Sequence, residues 1–140
     1  MAIELTNVAV QTVAAAANVA FAETPVRDCR GLITHREGSG IITLRGAPNG
    51  ARYKVTFGAN VAIPTGGAVA PIMLALAIDG EALGGSTMIS TPTATAAFNN
   101  VSASLFVAAP CTCCVTFSVR NTGTAEIEVA NANLIVERVA

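Results

Sequence analysis

The sequence predicts an all-β fold, an antiparallel β-sandwich, on three observations. Val, Ile and Thr are dense between Gly and Pro residues that break the chain at short intervals. Several segments alternate apolar and polar residues with a period of two. Helix signals are weak throughout: the run Ala14-Ala15-Ala16-Ala17 has β-branched neighbours, no caps and no charge pairs at helical spacing.

The clearest strand runs from Arg52 to Ala59. Tyr53, Val55, Phe57 and Ala59 fall on one face, and Arg52, Lys54 and Thr56 on the other. A turn follows at Ala62-Ile63-Pro64-Thr65-Gly66-Gly67. Pro71 to Ile78 is apolar on both faces, with Ile72, Leu74, Leu76 and Ile78 on one and Met73, Ala75 and Ala77 on the other. Such a strand is expected to be buried on both sides. Asp79-Gly80 then carries the signature of a type I′ hairpin.

Later segments follow the same style. Val101 to Val107 sets Val, Ala and Leu against Ser102, Ser104 and Phe106. A strand from Cys111 to Val119 would group Cys111, Cys113, Val115, Phe117 and Val119. Asn121-Thr122-Gly123-Thr124 reads as a turn, Glu126 to Val129 as a strand, and Asn133 to Val139 as the last strand. Gly31 to Thr34 and Ile41 to Leu44 are short strands around His35-Arg36-Glu37-Gly38-Ser39-Gly40. Residues 3–13 and 18–22 are weaker candidates. The total of about eight to ten short strands points to a sandwich or jelly roll. Residues 1–24 are read as an N-terminal strand or a docking arm that adds to a neighbouring edge, and residues 25–140 as the jelly-roll domain.

The 140 residues suit one domain. Charged residues are only 12% and hydrophobic residues 52%, against about 25% charged in an ordinary soluble domain. Part of the apolar surface is therefore expected to be covered by protein, which implies an oligomer. The net charge of −1, with scattered basic residues and a single lysine, gives no stripe for nucleic acid or anionic lipid. No apolar run reaches the ~20 residues of a membrane span. No basic region precedes the short apolar stretch near the N-terminus, so a signal peptide is not expected. Synthesis in the cytoplasm, and retention there until assembly, are.

Three segments carry a resemblance. They are Arg52-Tyr53-Lys54-Val55-Thr56-Phe57, Leu74-Ala75-Leu76-Ala77-Ile78-Asp79-Gly80, and Asn131-Ala132-Asn133-Leu134-Ile135-Val136-Glu137-Arg138-Val139-Ala140. Their patterning and order resemble the tumour-necrosis-factor-like jelly roll shared by complement first-component heads and bacterial collagen-like surface proteins. The C-terminal head of the Bacillus exosporium collagen-like glycoprotein is similar. The segment Pro25 to Gly46 resembles small proteins encoded beside capsid genes in phages and prophages of Firmicutes. The Gly-X-Y stalk of the collagen-like proteins does not occur in this chain.

The resemblance implies a homotrimer in which strands apolar on both faces bury one face around a three-fold axis. It also implies a bacteriophage virion structural protein. The expected role is head decoration or a head fibre on the capsid exterior, partnered by itself and by the major capsid protein or another virion protein. The competing expectation is a bacterial spore- or cell-surface adhesion module of the same fold. Candidates for the trimer interface or core are Tyr53, Phe57, Ile72, Leu74, Leu76, Ile78, Phe117, Leu134 and Val136. The segment Gly84 to Phe98 is a candidate outward loop.

Catalytic, cofactor and metal sites are not expected. His35, Arg36, Glu37 and Ser39 are close in sequence, but neighbours on a strand or turn point apart, and the G-x-S-x-G elbow is missing. His35, Arg36 and Glu37 are instead a candidate polar cluster at an interface, where ion pairs could set register. The cysteines are Cys29, Cys111, Cys113 and Cys114. They are expected as small buried thiols, with a disulfide or a metal site as the competing readings. Cys111 and Cys113 on one strand would lie roughly 7 Å apart, long for a disulfide. The spacing also departs from the C-x2-C of zinc knuckles.

Overall fold

The computed structural model describes residues 2–28, 30–111 and 113–140. The strands are β1 (Ala2–Asn7), β2 (Gln11–Val13), β3 (Glu23–Val26), β4 (Ile33–His35), β5 (Ile42–Arg45), β6 (Ala51–Ala62), β7 (Ile72–Ile78), β8 (Glu81–Ala82), β9 (Met88–Ser90), β10 (Asn99–Ala109), β11 (Cys114–Asn121) and β12 (Ile127–Arg138). A 3-10 turn occupies Gly84–Ser86. One sheet has the order β10-β6-β12-β1-β3, with β2 beside the start of β12. The other has the order β4-β5-β11-β7-β8, with β9 also beside β7. The pairings are antiparallel. The fold is thus a two-sheet, all-β sandwich.

The alternation read in the sequence is what buries the core. Along β6, Tyr53, Val55, Phe57 and Ala59 point inward and Arg52, Lys54 and Thr56 outward. Phe57 meets Phe21 edge-on, with ring centroids 6.4 Å apart. Tyr53, Phe57, Ile72, Leu74, Leu76, Phe117, Leu134 and Val136 all lie in the core between the sheets, and Ile78 packs against it. Each such fully buried side chain contributes about 1.5–3 kcal/mol. The hairpin after β7 is as its residues demand: Asp79 has φ 50° and Gly80 φ 84°. Two positive φ values in sequence define the type I′ turn.

Four expectations are corrected. Strand β7 is apolar on both faces, but a neighbouring copy is not what covers its second face. Ala75 and Ala77 are buried within one subunit. Arg120, paired beside Ala75, reaches along that face to donate to the Gly80 carbonyl at 2.8 Å. Alanines are small enough for such a side chain to shelter them. The subunit's accessible surface is 6849 Å², close to the ~6,700 Å² of a compact monomer of its mass.

Second, the two C-terminal segments are one strand. β12 runs unbroken through Asn131-Ala132-Asn133, with its register on β6 shifting between Ala130 and Asn133. Asn131 sits at φ 54°, a conformation Asn tolerates better than other side chains, and the result is a β-bulge. Third, the strand expected from Cys111 starts at Cys114; residues 111 and 113 are in the preceding turn. Fourth, the division after residue 24 falls inside β3. β1 lies between β12 and β3, not at an edge, and Ile3, Leu5, Val13, Val19 and Phe21 belong to the core. β3 is the edge, which suits Pro25 and its missing N–H.

The segment between β2 and β3 is tied down on both sides. The Gln11 side chain donates to the Ala20 carbonyl at 2.8 Å and accepts from the Ala20 N–H at 2.9 Å. Residues 16–19 run beside the end of β11, with Ala16 N–H on Asn121 O, Asn121 N–H on Ala17 O and Val19 N–H on Val119 O.

Candidate interaction surface

The outer face of the first sheet has no further layer among the described residues. Its rows follow from the strand registers. Phe106 (β10), Lys54 (β6), Glu137 (β12) and Ala2 (β1) form one. Ser104, Thr56, Ile135, Glu4 and Val26 form the next, and Ser102, Gly58, Asn133 and Thr6 the third. Phe106, Val26 and Ile135 are 68%, 51% and 39% exposed. These are large apolar groups on a face otherwise made of small polar residues. Lys54 and Glu137 are opposite charges on paired positions, so the row carries no net sign.

Amides extend the pattern toward the bulge. Asn100 Nδ2 donates to Asn60 Oδ1 at 3.3 Å, and Asn60 Nδ2 to Asn131 Oδ1 at 3.2 Å. Asn133 Nδ2 donates to Glu4 Oε2 at 3.1 Å. Thr56 and Ser104 hydroxyls lie 3.3 Å apart. These bonds hold the side chains flat against the sheet, leaving Phe106 and Ile135 as the relief. Val8, Val10, Val69 and Phe98 are exposed in loops, where single apolar residues are ordinary.

Within one subunit His35, Arg36 and Glu37 are not brought together as a cluster. His35 Nε2 donates to the Ser39 carbonyl at 2.7 Å within its own hairpin, and its ring stands edge-on to Phe21 at 6.3 Å. Glu37 pairs instead with Arg27 at 2.5 Å, on the surface. Neighbouring residues in this hairpin diverge, so three consecutive polar groups do not make one site.

The expected buried thiols are corrected too. Cys111, Cys113 and Cys114 are exposed. Cys113 and Cys114 are joined as a disulfide between adjacent residues, and Cys111 is free. Cys29 lies outside the described residues. Among the described residues no group of three or more His, Cys, Asp or Glu is arranged to hold a metal ion, and no helix is long and apolar enough to cross a membrane.

Three polar groups escaped the sequence reading. Asn121, at the head of the turn its sequence predicts, is fully buried. Its Nδ2 donates to the carbonyls of Val13, Ala14 and Ala125, and its Oδ1 accepts from Gly123 N–H at 3.0 Å. Asp28 organises the loop between β3 and β4. Burial acts to raise its pKa, but hydrogen bonds from the backbone N–H groups of Arg30, Ile33 and Leu32 outweigh that and hold the carboxyl below its usual range. Tyr53 donates its hydroxyl to the Arg45 carbonyl. Burial pushes this phenol up, with Arg138 opposing and Asp28 adding to the shift. The partners of Asn121 at residues 13 and 14 are distant in sequence, and the Tyr53 hydroxyl bonds back across the loop before β6, so neither contact leaves a signal. Phe106 did leave one: it is the aromatic on a face shared with Ser102 and Ser104.

No family model matches the chain, and no curated protein matches it. Among solved structures, it is similar to the globular domain of zebrafish complement 1qA protein. That similarity has a TM-score of 0.65 and 13% identity and covers 97% of this chain and 94% of the other. A Podospora anserina GH26-CBM35 β-(1,4)-mannanase aligns with a TM-score of 0.35 and 13% identity, over 94% of this chain and 28% of that one. Nothing about this chain follows from the second. The first shows a shared fold: the chain is a jelly-roll sandwich of the complement-1q and tumour-necrosis-factor-like type.

Proposed function

We propose that this chain is a non-enzymatic structural protein of a bacteriophage virion, a homotrimeric head-decoration or head-fibre protein bound to the capsid exterior. The observation that carries the assembly half of this reading is the outer face of the first sheet. Phe106, Ile135 and Val26 stand exposed there among hydroxyls, amides and the charged groups Lys54, Glu137 and Glu4. Five strands about 4.8 Å apart and about seven residues long make a plane of roughly 550 Å². Corrugated by side chains, such a plane approaches the ~800 Å² that each partner of a standard interface buries. The capsid half rests on the likeness of Pro25 to Gly46 to proteins encoded beside capsid genes.

Light scattering is expected to give three times 14.1 kDa, and the protein is expected to co-sediment with intact particles. A monomer at micromolar concentration would defeat the assembly, and absence from particles would defeat the location. The alternative, a bacterial spore- or cell-surface binding module, draws on the shared fold with the complement 1qA globular domain. It is favoured if the trimer forms but binds cells or spores and not capsids.

A further inference from the structure

Three cysteines within four positions are left unused by the proposed assembly. The turn that holds them is positioned by the fold. Gly46 N–H donates to the Cys113 carbonyl at 2.5 Å. A side chain at Gly46 would collide with the backbone oxygens of Pro110 and Cys113, so only glycine lets the two loops approach this closely. Cys111, Cys113, Cys114 and Arg45 line one open cleft of about 410 Å³, with Thr34 and Pro48 on its walls. Cys114 is paired with Arg45 across the sheet, and both line the cleft. The disulfide is exposed and a free thiol lies two residues before it. Exposed disulfides are the labile ones in thiol exchange.

We propose that this turn is a thiol-exchange site, which captures a thiol-bearing molecule as a mixed disulfide and releases it through Cys111. The incoming thiolate attacks Cys113 Sγ. A new S–S bond forms, the Cys113–Cys114 bond breaks, and the electron pair leaves on Cys114 Sγ, which takes a proton from solvent. Arg45 supports that departure, because a cation stabilises the leaving thiolate. Cys111 thiolate then attacks Cys113 Sγ, forms the Cys111–Cys113 bond and expels the captured thiol. Each step exchanges one disulfide for another, so no oxidant or reductant is consumed. The partner class is a low-molecular-weight thiol or a flexible peptide bearing one. The cleft is open, and its lining includes a single positive side chain and no acidic one.

The test is intact-mass spectrometry of the full chain with reduced glutathione under strictly anaerobic conditions, followed by acid quench and peptide mapping. Free cysteines cannot add a thiol without an oxidant, so any adduct reports a protein disulfide. One adduct per chain, mapped to Cys113, is expected. Cys114→Ser combined with Cys111→Ser is expected to abolish it, Arg45→Gln to slow its formation several-fold, and Cys111→Ser alone to prolong its lifetime several-fold. No adduct, an adduct on another cysteine, or an adduct that persists in the Cys111→Ser and Cys114→Ser double variant overturns the site. An unchanged rate in Arg45→Gln or an unchanged lifetime in Cys111→Ser overturns the assigned role of that residue. Thermal unfolding of each variant, expected to match the parent, separates these outcomes from misfolding.

Discussion

The two outer faces of the sandwich are built from similarly uncharged strands, yet the middle of one is covered by its own chain and the other is left open. On the second sheet, Ala75, Ala77 and Ser118 are buried, with Arg120 reaching over the alanines to Gly80. Residues 16–19 and the turn at Gly84–Ser86 cover the strand edges. Away from that middle strip the face is exposed, at Thr34 and Thr116 in one row and at Ile89 on β9 beside Met73. On the first sheet, Phe106, Ile135 and Val26 face outward among hydroxyls and amides. A shortage of charge does not by itself demand a partner, because small residues let a chain shield itself. Large apolar side chains on an otherwise polar face are the sharper sign.

The largest effect is expected where the closed side is tied together. Asn121→Ala leaves three carbonyls and one N–H without their partner. It should lower stability by about 3 kcal/mol, the scale of unpaired buried groups, as read by urea unfolding. An effect below about 1 kcal/mol would mean that Asn121 is not what binds residues 13–14 to the second sheet. Next comes Ala77→Leu, which overpacks the sheltered face and should cost about 1–3 kcal/mol. If it is neutral, that face is open and the contrast between the two sides disappears.

The parts of this architecture legible in the sequence are those in which one strand carries its whole message. Tyr53, Val55 and Phe57 alternate with charged or hydroxyl residues, and Asp79-Gly80 names its own turn. Illegible were features set by a second strand far away. Asn131 and Asn133 look like a break, but pairing with β6 on one side and β1 on the other carries β12 through them as a bulge. Asn121 looks like a turn until its carbonyl partners from residues 13 and 14 are present. The candidate site was half legible: Phe106 stood out on its strand, whereas Ile135 and Val26 join it only through register.

A control for both faces is Asp28, in the loop that links the two sheets. Its carboxylate is stabilised in the folded chain, so its contribution is full above the ordinary value of 3.8 and is lost as pH falls through the lower folded value. Asp28→Asn should cost about 1 kcal/mol at neutral pH, a solvent-screened figure. The gap between variant and parent should close on acidification below that range. Assembly should be unaffected, since neither outer face is touched. A gap that widens in acid would reverse the assignment.

The smallest effect on stability is expected from the change that matters most to the open face. Phe106→Lys with Ile135→Lys places two charges on positions that water already reaches. Exposed substitutions usually shift stability by no more than about 0.5 kcal/mol. Yet the same charges, buried against another copy, would be unpaired and desolvated. The variant should therefore unfold like the parent while its mass by light scattering falls to that of one subunit. Two results would each break the comparison. A large loss of stability would show that these side chains serve the fold of one subunit, and an unchanged oligomer would show that copies meet elsewhere.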